Sequence, residues 1–368
     1  MAIHYFYIDD DSESQKKVEG FKNGELSIDA MQHKDSWELQ LEFLKDNENK
    51  YDGVILDLKL DDLPNNNNIR AKFRGTSLAQ EIRTRQKEGL LKSFPIILFS
   101  ANDKTQQALE KSGIDLFDIL IDKSKLDDIA FPIYTAQLID LSKGYKTLCD
   151  SSITTAKIFQ TEDSFIDTRF LSEFNELRKS PIHIQSRFLI VEFLTKQGLL
   201  IDEDVLAARL GINKSISTDW NSLLKIISKI KYSGVFSSGW PRWWMYLIEL
   251  WWNEFIKSDS FLRTTPAREK VEKIKQATGL RNLIVAEKID KSNSDEFWTI
   301  CKGYNHPLDP VDGLLIQGQD NLYSWQEPEY VSVEAALWRK NIDDWISVAD
   351  VEKERYEKLK ALYSRNKQ

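Results

Sequence analysis

The stretch Tyr51–Asp62, YDGVILDLKLDD, constrains this chain more than any other. Val54, Ile55 and Leu56 form a short apolar run behind the Asp52-Gly53 turn signal, the pattern of a central strand covered by helices on both faces. The run ends on Asp57. In an open α/β sheet, ligands and chemistry gather beyond the carboxyl ends of the strands, where strand order reverses, so an acid at that place faces a crevice rather than a core.

The flanking sequence supplies the rest of such a sheet. Residues 3–8 read as a strand, followed by Asp9, Asp10 and Asp11 in a turn and a helix capped by Ser12 and running to about Lys22. Residues 25–30 read as a weaker strand and 36–46 as a helix. Beyond the central strand, LKLDDLPNNNNIRAKFRG excludes regular structure, and a helix begins at Thr76. Phe94–Phe99 reads as a strand ending at Ser100, Asp103 as the cap of a helix, Leu116–Ile121 as a strand ending at Asp122-Lys123, and 126–144 as a fifth helix. Five strands alternating with five helices imply right-handed crossovers and a doubly wound, five-stranded parallel sheet.

Small and hydroxyl residues replace this alternation at 148–160, which reads as a linker between an N-terminal domain, 1–147, and a helix-rich region, 161–368, with a further division near 258. Ten of the 11 tryptophans lie in that later region. Its helices are expected at 165–178, 183–197, 203–210, 219–231, 240–257 and 348–365, with short strands only at Leu283–Ala286 and Leu314–Gln317. In WPRWWMYLIELWWNEF (240–255), Trp244, Leu247, Ile248, Trp251 and Phe255 share one stripe and Trp243 and Trp252 widen it, which predicts a core helix. Residues 202–229 have the outline of a helix-turn-helix, yet Asp219 stands where base contacts would be made and only Lys225 and Lys229 follow.

Charge and cysteine content narrow the function classes. Of the formal −8, residues 1–150 carry −7 and the remainder −1, so neither part presents the basic footprint of a nucleic-acid binder. Cys149 and Cys301 offer neither a disulfide framework nor ligand spacing, which fits a reducing cytoplasm. No run of about 20 apolar residues is present, so no membrane span is expected. His4, His33, His183 and His306 are scattered singly and read as structural.

The acidic pair Asp9 and Asp10 after strand one, Asp57 after strand three, Ser100 after strand four and Lys123 after strand five resemble the receiver domain of bacterial response regulators. The resemblance implies phosphoryl transfer from a sensor histidine kinase to Asp57. It implies Mg²⁺ held by Asp10, Asp57 and the backbone carbonyl of Lys59, with Asp9 helping, and oxygens of the phosphoryl group met by Lys123, Ser100 and the amide of Ala101. Clustered carboxylates that repel one another suit a hard cation, and a carboxylate can accept a phosphoryl group as an acyl phosphate. Three features depart from the pattern. Gly75 lies 18 positions after Asp57, about twice the usual span, and the enlarged loop carries Asp61, Asp62, Arg70, Lys72 and Arg74. Ser124 follows Lys123 in place of proline, and Leu120 replaces the switch aromatic. Activation is therefore expected to show mainly in residues 58–74.

The expected function is a cytoplasmic two-component response regulator that relays its state to a C-terminal protein-interaction module, with no separate catalytic output. The implied partners are the kinase, a protein recognised by the C-terminal region, and a second copy of the chain, with neither membrane nor nucleic acid. The alternatives are a phosphoryl sink, in an arrangement similar to extended receivers of anti-phage two-component systems, and a transcriptional regulator acting through 202–229.

Overall fold

The computed structural model describes residues 2–100 and 111–365. Its first compact unit comprises residues 1–191 together with 233–240, and the second comprises 192–232 and 241–368. The first unit contains β1 (Ile3–Ile8), α1 (Ser12–Lys16), β2 (Leu26–Met31), α2 (Trp37–Asp46), β3 (Gly53–Leu56), α3 (Gly75–Lys87), β4 (Ile96–Ser100), α4 (Lys111–Ile114), β5 (Ile119–Asp122) and α5 (Ala130–Cys149). The strands form one sheet in the order β2-β1-β3-β4-β5, with every neighbouring pair parallel. This is the doubly wound, flavodoxin-like arrangement the alternation predicts. All four residues of β3 and all five of β4 are buried, as continuous apolar runs between two helical layers require.

Boundaries shift where local hydrogen bonding decides them. Asp11, not Ser12, caps α1, its carboxylate accepting from the amides of Glu13 and Ser14, and the helix passes into a 3₁₀ turn at Lys17. Ser36 caps α2 through the amide of Leu39. The expected cap at Asp103 lies outside the described residues.

The stretch after β3 has no regular structure, yet it is a folded part of the core. Leu58, Leu60, Ala71 and Phe73 join the cluster formed by Phe6, Ile8, Val54, Leu56 and Leu98. Its tip is pinned to the segment after β2: the Asn65 side-chain amide donates to Asp35 at 2.6 Å and the amide of Asn66 to Gln32 at 2.7 Å. Arg70, Lys72 and Arg74 point to solvent, and Arg74 reaches Asp61.

The expected linker at 148–160 is instead part of the first unit. α5 continues to Cys149, and a new helix, α6 (Thr155–Phe159), buries Ile158 and Phe159 completely. Phe159 packs against Phe170 and Phe174 of α7 (Thr168–Leu177), ring centroids 5.4 and 5.1 Å away, and α7 is followed by α8 (Ile182–Phe188). These aromatics give residues 150–191 a core of their own against α5, which a linker would not have. Residues 233–240 return to the same helix: Asp140 accepts from the amides of Ser238 and Gly239 at 2.8 and 2.9 Å.

The second unit is helix-rich, as expected, but carries more sheet than the sequence reading assigns. Its elements are β6 (Leu200–Ile201), α9 (Glu203–Arg209), α10 (Trp220–Ile226), β7 (Trp243–Trp244), α11 (Met245–Glu254), α12 (Ala267–Thr278), β8 (Thr299–Cys301), β9 (His306–Leu308), β10 (Gly313–Leu315), β11 (Tyr330–Ser332), α13 (Val333–Trp338) and α14 (Lys353–Arg365). Strands β8–β11 form a four-stranded sheet in the order β10-β11-β8-β9. Val285 makes one isolated bridge with Ile212, so the strand expected at Leu283–Ala286 is not formed. The helix α11 packs into this unit's main core, but on a face rotated from the predicted stripe: Met245, Ile248 and Trp252 are buried, Leu247 and Trp251 are only partly covered and Phe255 is exposed, while Trp240, before Pro241, belongs to the first unit.

Candidate functional site

Four strand ends converge on one cavity. Asp9 and Asp10 follow β1, Asp57 follows β3, Ser100 ends β4 and Lys123 follows β5, and all five residues line a cavity of about 390 Å³ shared with Asp11, Ser14, Lys59, Asp62 and Leu63. The sheet order places it where β1 and β3 diverge, the switch point of the fold.

The centre of the site is the Lys123 ammonium. It donates to Asp9 Oδ2 and to Asp57 Oδ1, both at 2.6 Å, with its side chain almost wholly buried. Its backbone amide is fixed by the carbonyl of Ser100 at 2.7 Å. The rings of Tyr7 and Phe99 flank the ammonium, with centroids 5.5 and 5.1 Å away. Asp57 Oδ2 accepts from the amide of Lys59 at 2.6 Å. Burial raises the Asp57 carboxyl above the ordinary range and Lys123 opposes that shift. Asp10 is likewise raised by burial, with the Leu63 amide, 2.5 Å from Oδ2, acting against it. Through that amide the enlarged loop touches the acidic cluster directly.

The structure therefore brings together Asp9, Asp10, Asp57, Lys59, Ser100 and Lys123, while Ala101 lies outside the described residues. Lys59 presents its amide to Asp57; its expected contribution was a carbonyl. Three contributors escaped the sequence reading: Tyr7, whose hydroxyl donates to Asp9 Oδ2, and Phe99 and Leu63. The signal for Tyr7 was present as a polar-tipped residue in a strand that needs only apolar ones.

Whether the residues fit a divalent cation rests on their chemistry. Asp9, Asp10 and Asp57 are hard oxygen donors on one cavity, and the raised Asp10 is an acid whose burial disfavours its anion, which a cation would relieve. Among the described residues no three His, Cys, Asp or Glu side chains form a group spaced to hold a metal ion. The ammonium of Lys123 supplies the positive charge between Asp9 and Asp57, and Leu63 holds Asp10. The donors suit such a cation by type, hard carboxylate oxygens on one cavity, while in this structure Lys123 and Leu63 hold them.

The backbone of Gly75 packs directly against that of Asp57. A Cβ at this glycine would lie 2.0 Å from the carbonyl oxygen of Asp57, and the Gly75 amide donates to Leu58 at 3.0 Å. Gly75→Ala is expected to cost about 2 kcal/mol in urea unfolding, because the atom in the way is backbone and the chain must move to admit a methyl. A cost under about 0.5 kcal/mol would show that the close approach is not required.

The candidate DNA-reading segment has a different shape from the one expected. Leu210–Asp219 separates α9 from α10, in place of a three- or four-residue turn, and Asp219 is occupied in accepting from the amides of Arg281 and Asn282. Lys225 and Lys229 are exposed. No helix among the described residues is long and apolar enough to cross a membrane.

No family model matches the chain, and no curated protein does. Solved structures do match its N-terminal part. A CheY-like response regulator receiver domain from Methylobacillus flagellatus is 20% identical, covering 38% of this chain and 99% of that one, with a TM-score of 0.26. The receiver domain of the Francisella response regulator 1452 is 22% identical over 37% of this chain and 96% of that one, TM-score 0.25. The Mn²⁺-bound form of response regulator Rcp1 is 16% identical over 41% of this chain and 97% of that one, TM-score 0.26.

Proposed function

We propose that the first unit is a phosphoryl-accepting receiver of a two-component system, with Asp57 as the acceptor and a histidine kinase as the donor. The observation that carries this reading is the Lys123 ammonium, buried and bonded at once to Asp9 and Asp57 at the switch point of the sheet. An oxygen of Asp57 attacks phosphorus; the bond from phosphorus to the donor's imidazole nitrogen breaks, and that nitrogen keeps the electron pair. Catalysis of this kind is positioning and charge neutralisation. Lys123 restrains the reacting carboxylate and is placed to follow the incoming negative charge, while Ser100 lines the cavity where a phosphoryl oxygen would rest. Asp9, Asp10 and Asp57 would hold Mg²⁺, which when bound would neutralise phosphoryl oxygens. The second unit is proposed to receive the signal as a protein-interaction module in the cytoplasm, with no catalytic output of its own.

Incubation with phosphoramidate and Mg²⁺ is expected to add one phosphoryl group, seen by intact mass, and Asp57→Asn to abolish it. Equal modification in chelator, or its survival in Asp57→Asn, would refute the assignment.

A further inference from the structure

We propose that Tyr7 is a positioning residue of this site, acting through Asp9 to keep the Lys123 ammonium aimed at the reacting oxygen of Asp57. The inference rests on the phosphoryl-acceptor reading above and extends it to a residue outside the strand-end constellation.

β1 is an interior strand, with β2 and β3 on either side, and its side chains alternate between the two helical layers. Tyr5 and Tyr7 therefore face the same layer, and both are completely buried. A phenylalanine would fill either place without a hydroxyl to satisfy, so each hydroxyl needs a partner. The two partners differ in kind. Tyr5 donates to the carbonyl of Leu138 at 2.7 Å and accepts from Ser142 at 2.9 Å, both on α5, a contact between two elements of the scaffold. Tyr7 donates to Asp9 Oδ2, the same oxygen that receives the Lys123 ammonium.

That shared oxygen gives the hydroxyl its role. Asp9 is 1% exposed, so its carboxylate depends on protein donors: the Asp11 amide on Oδ1 at 2.8 Å, and Tyr7 with Lys123 on Oδ2. Once Asp57 carries a phosphoryl group, the added negative charge draws the ammonium toward the phosphoryl oxygens and away from Asp9. Tyr7 then remains as the donor on Oδ2, so the lysine can shift without leaving a buried carboxylate stripped of its partners. The Tyr7 and Phe99 rings, T-shaped at 5.4 Å, wall the ammonium on its other side and limit where it can go. Losing the hydroxyl alone leaves this wall in place and frees Asp9 to rotate, taking the lysine off line.

The test is Tyr7→Phe in the full chain, with phosphoramidate as donor, Mg²⁺ present and the phosphorylated species counted by mass. The maximal rate should fall about tenfold, as expected for one charge-assisted hydrogen bond, with the half-saturating donor concentration changed by less than about twofold. Two companions separate positioning from structure. Tyr5→Phe loses a hydroxyl equally buried on the same face, so it should lower the unfolding midpoint and leave the rate unchanged. In an Asp9→Asn background Tyr7→Phe should change the rate by less than about twofold, because the residue it acts through is already altered. An unchanged rate in Tyr7→Phe, or an equal fall with Asp9→Asn already present, would overturn the proposal while leaving Asp57 as acceptor. A wild-type chain that takes no phosphoryl group would remove the parent reading, and this one with it.

Discussion

Asp118→Asn is expected to destabilise the first unit by about 3–5 kcal/mol, because it removes the carboxylate paired with a buried guanidinium while leaving that guanidinium in place. Arg83 and Asp118 form an ion pair at 2.8 Å with side chains 3% and 0% exposed. Asp118 also accepts from the hydroxyls of Tyr145 on α5 at 2.7 Å and Ser186 on α8 at 2.9 Å, and from the amide of Ile96 at 2.9 Å. One carboxylate thus ties α3, β4, α5 and α8 together, just ahead of β5. Asparagine has the right shape but would turn a donor toward groups that need an acceptor. Ser186→Ala, which removes one neutral partner, should cost only about 1 kcal/mol. Urea unfolding of the full chain measures both. Asp118 precedes β5 while the cavity lined by Asp57 lies beyond its other end, so on the proposed function the folded fraction of Asp118→Asn should still be modified at Asp57. A loss below about 1 kcal/mol would mean that the charge is not integral to the fold.

The same network shows why part of the fold was legible in the sequence and part was not. β3 and β4 are continuous apolar runs each followed or ended by a polar residue, a local pattern, and Asp9, Asp57, Ser100 and Lys123 at the strand ends could be read without knowing any partner. Residues 150–191 could not be assigned that way. Their place depends on Ser186 meeting Asp118, 68 positions earlier, and on Phe159 meeting Phe170 and Phe174. The enlarged loop is legible only in part for a related reason: its four asparagines exclude helix and strand, as observed, but say nothing of its packing. Leu60, Ala71 and Phe73 were the available sign that the loop is buried, and the pinning of Asn65 by Asp35 joins residues 30 positions apart. The strands β8–β11 are three residues each, too short for any periodicity to show. The polar tip of Tyr7 is visible in the sequence, but its partner is not: the position of Asp9 Oδ2 makes its hydroxyl part of the site.

Lys270→Met is expected to stabilise the second unit at neutral pH and to lose that advantage as the solution becomes alkaline. Lys270, on α12, is fully buried; its ammonium has the carbonyl of Phe297 at 3.5 Å, a distance that gives little back for lost hydration. Burial pulls its pKa from 10.5 down to about 7, with Arg263 pushing the same way and Glu296, Asp295 and Asp309 opposing. The unfolded chain therefore binds this proton more tightly than the folded one throughout the interval between those values. Linkage makes the wild type gain stability as pH rises through the interval, by about 1.4 kcal/mol per unit, and flattens the dependence below it. Methionine fills nearly the same volume without a charge to bury. The variant should exceed the wild type by about 4 kcal/mol near and below pH 7, and the gap should close toward the ordinary lysine pKa. Urea unfolding of both chains across this range is the measurement. Parallel stability curves would show that Lys270 titrates as an ordinary lysine, and a less stable variant at neutral pH would show that its charge is compensated within the fold.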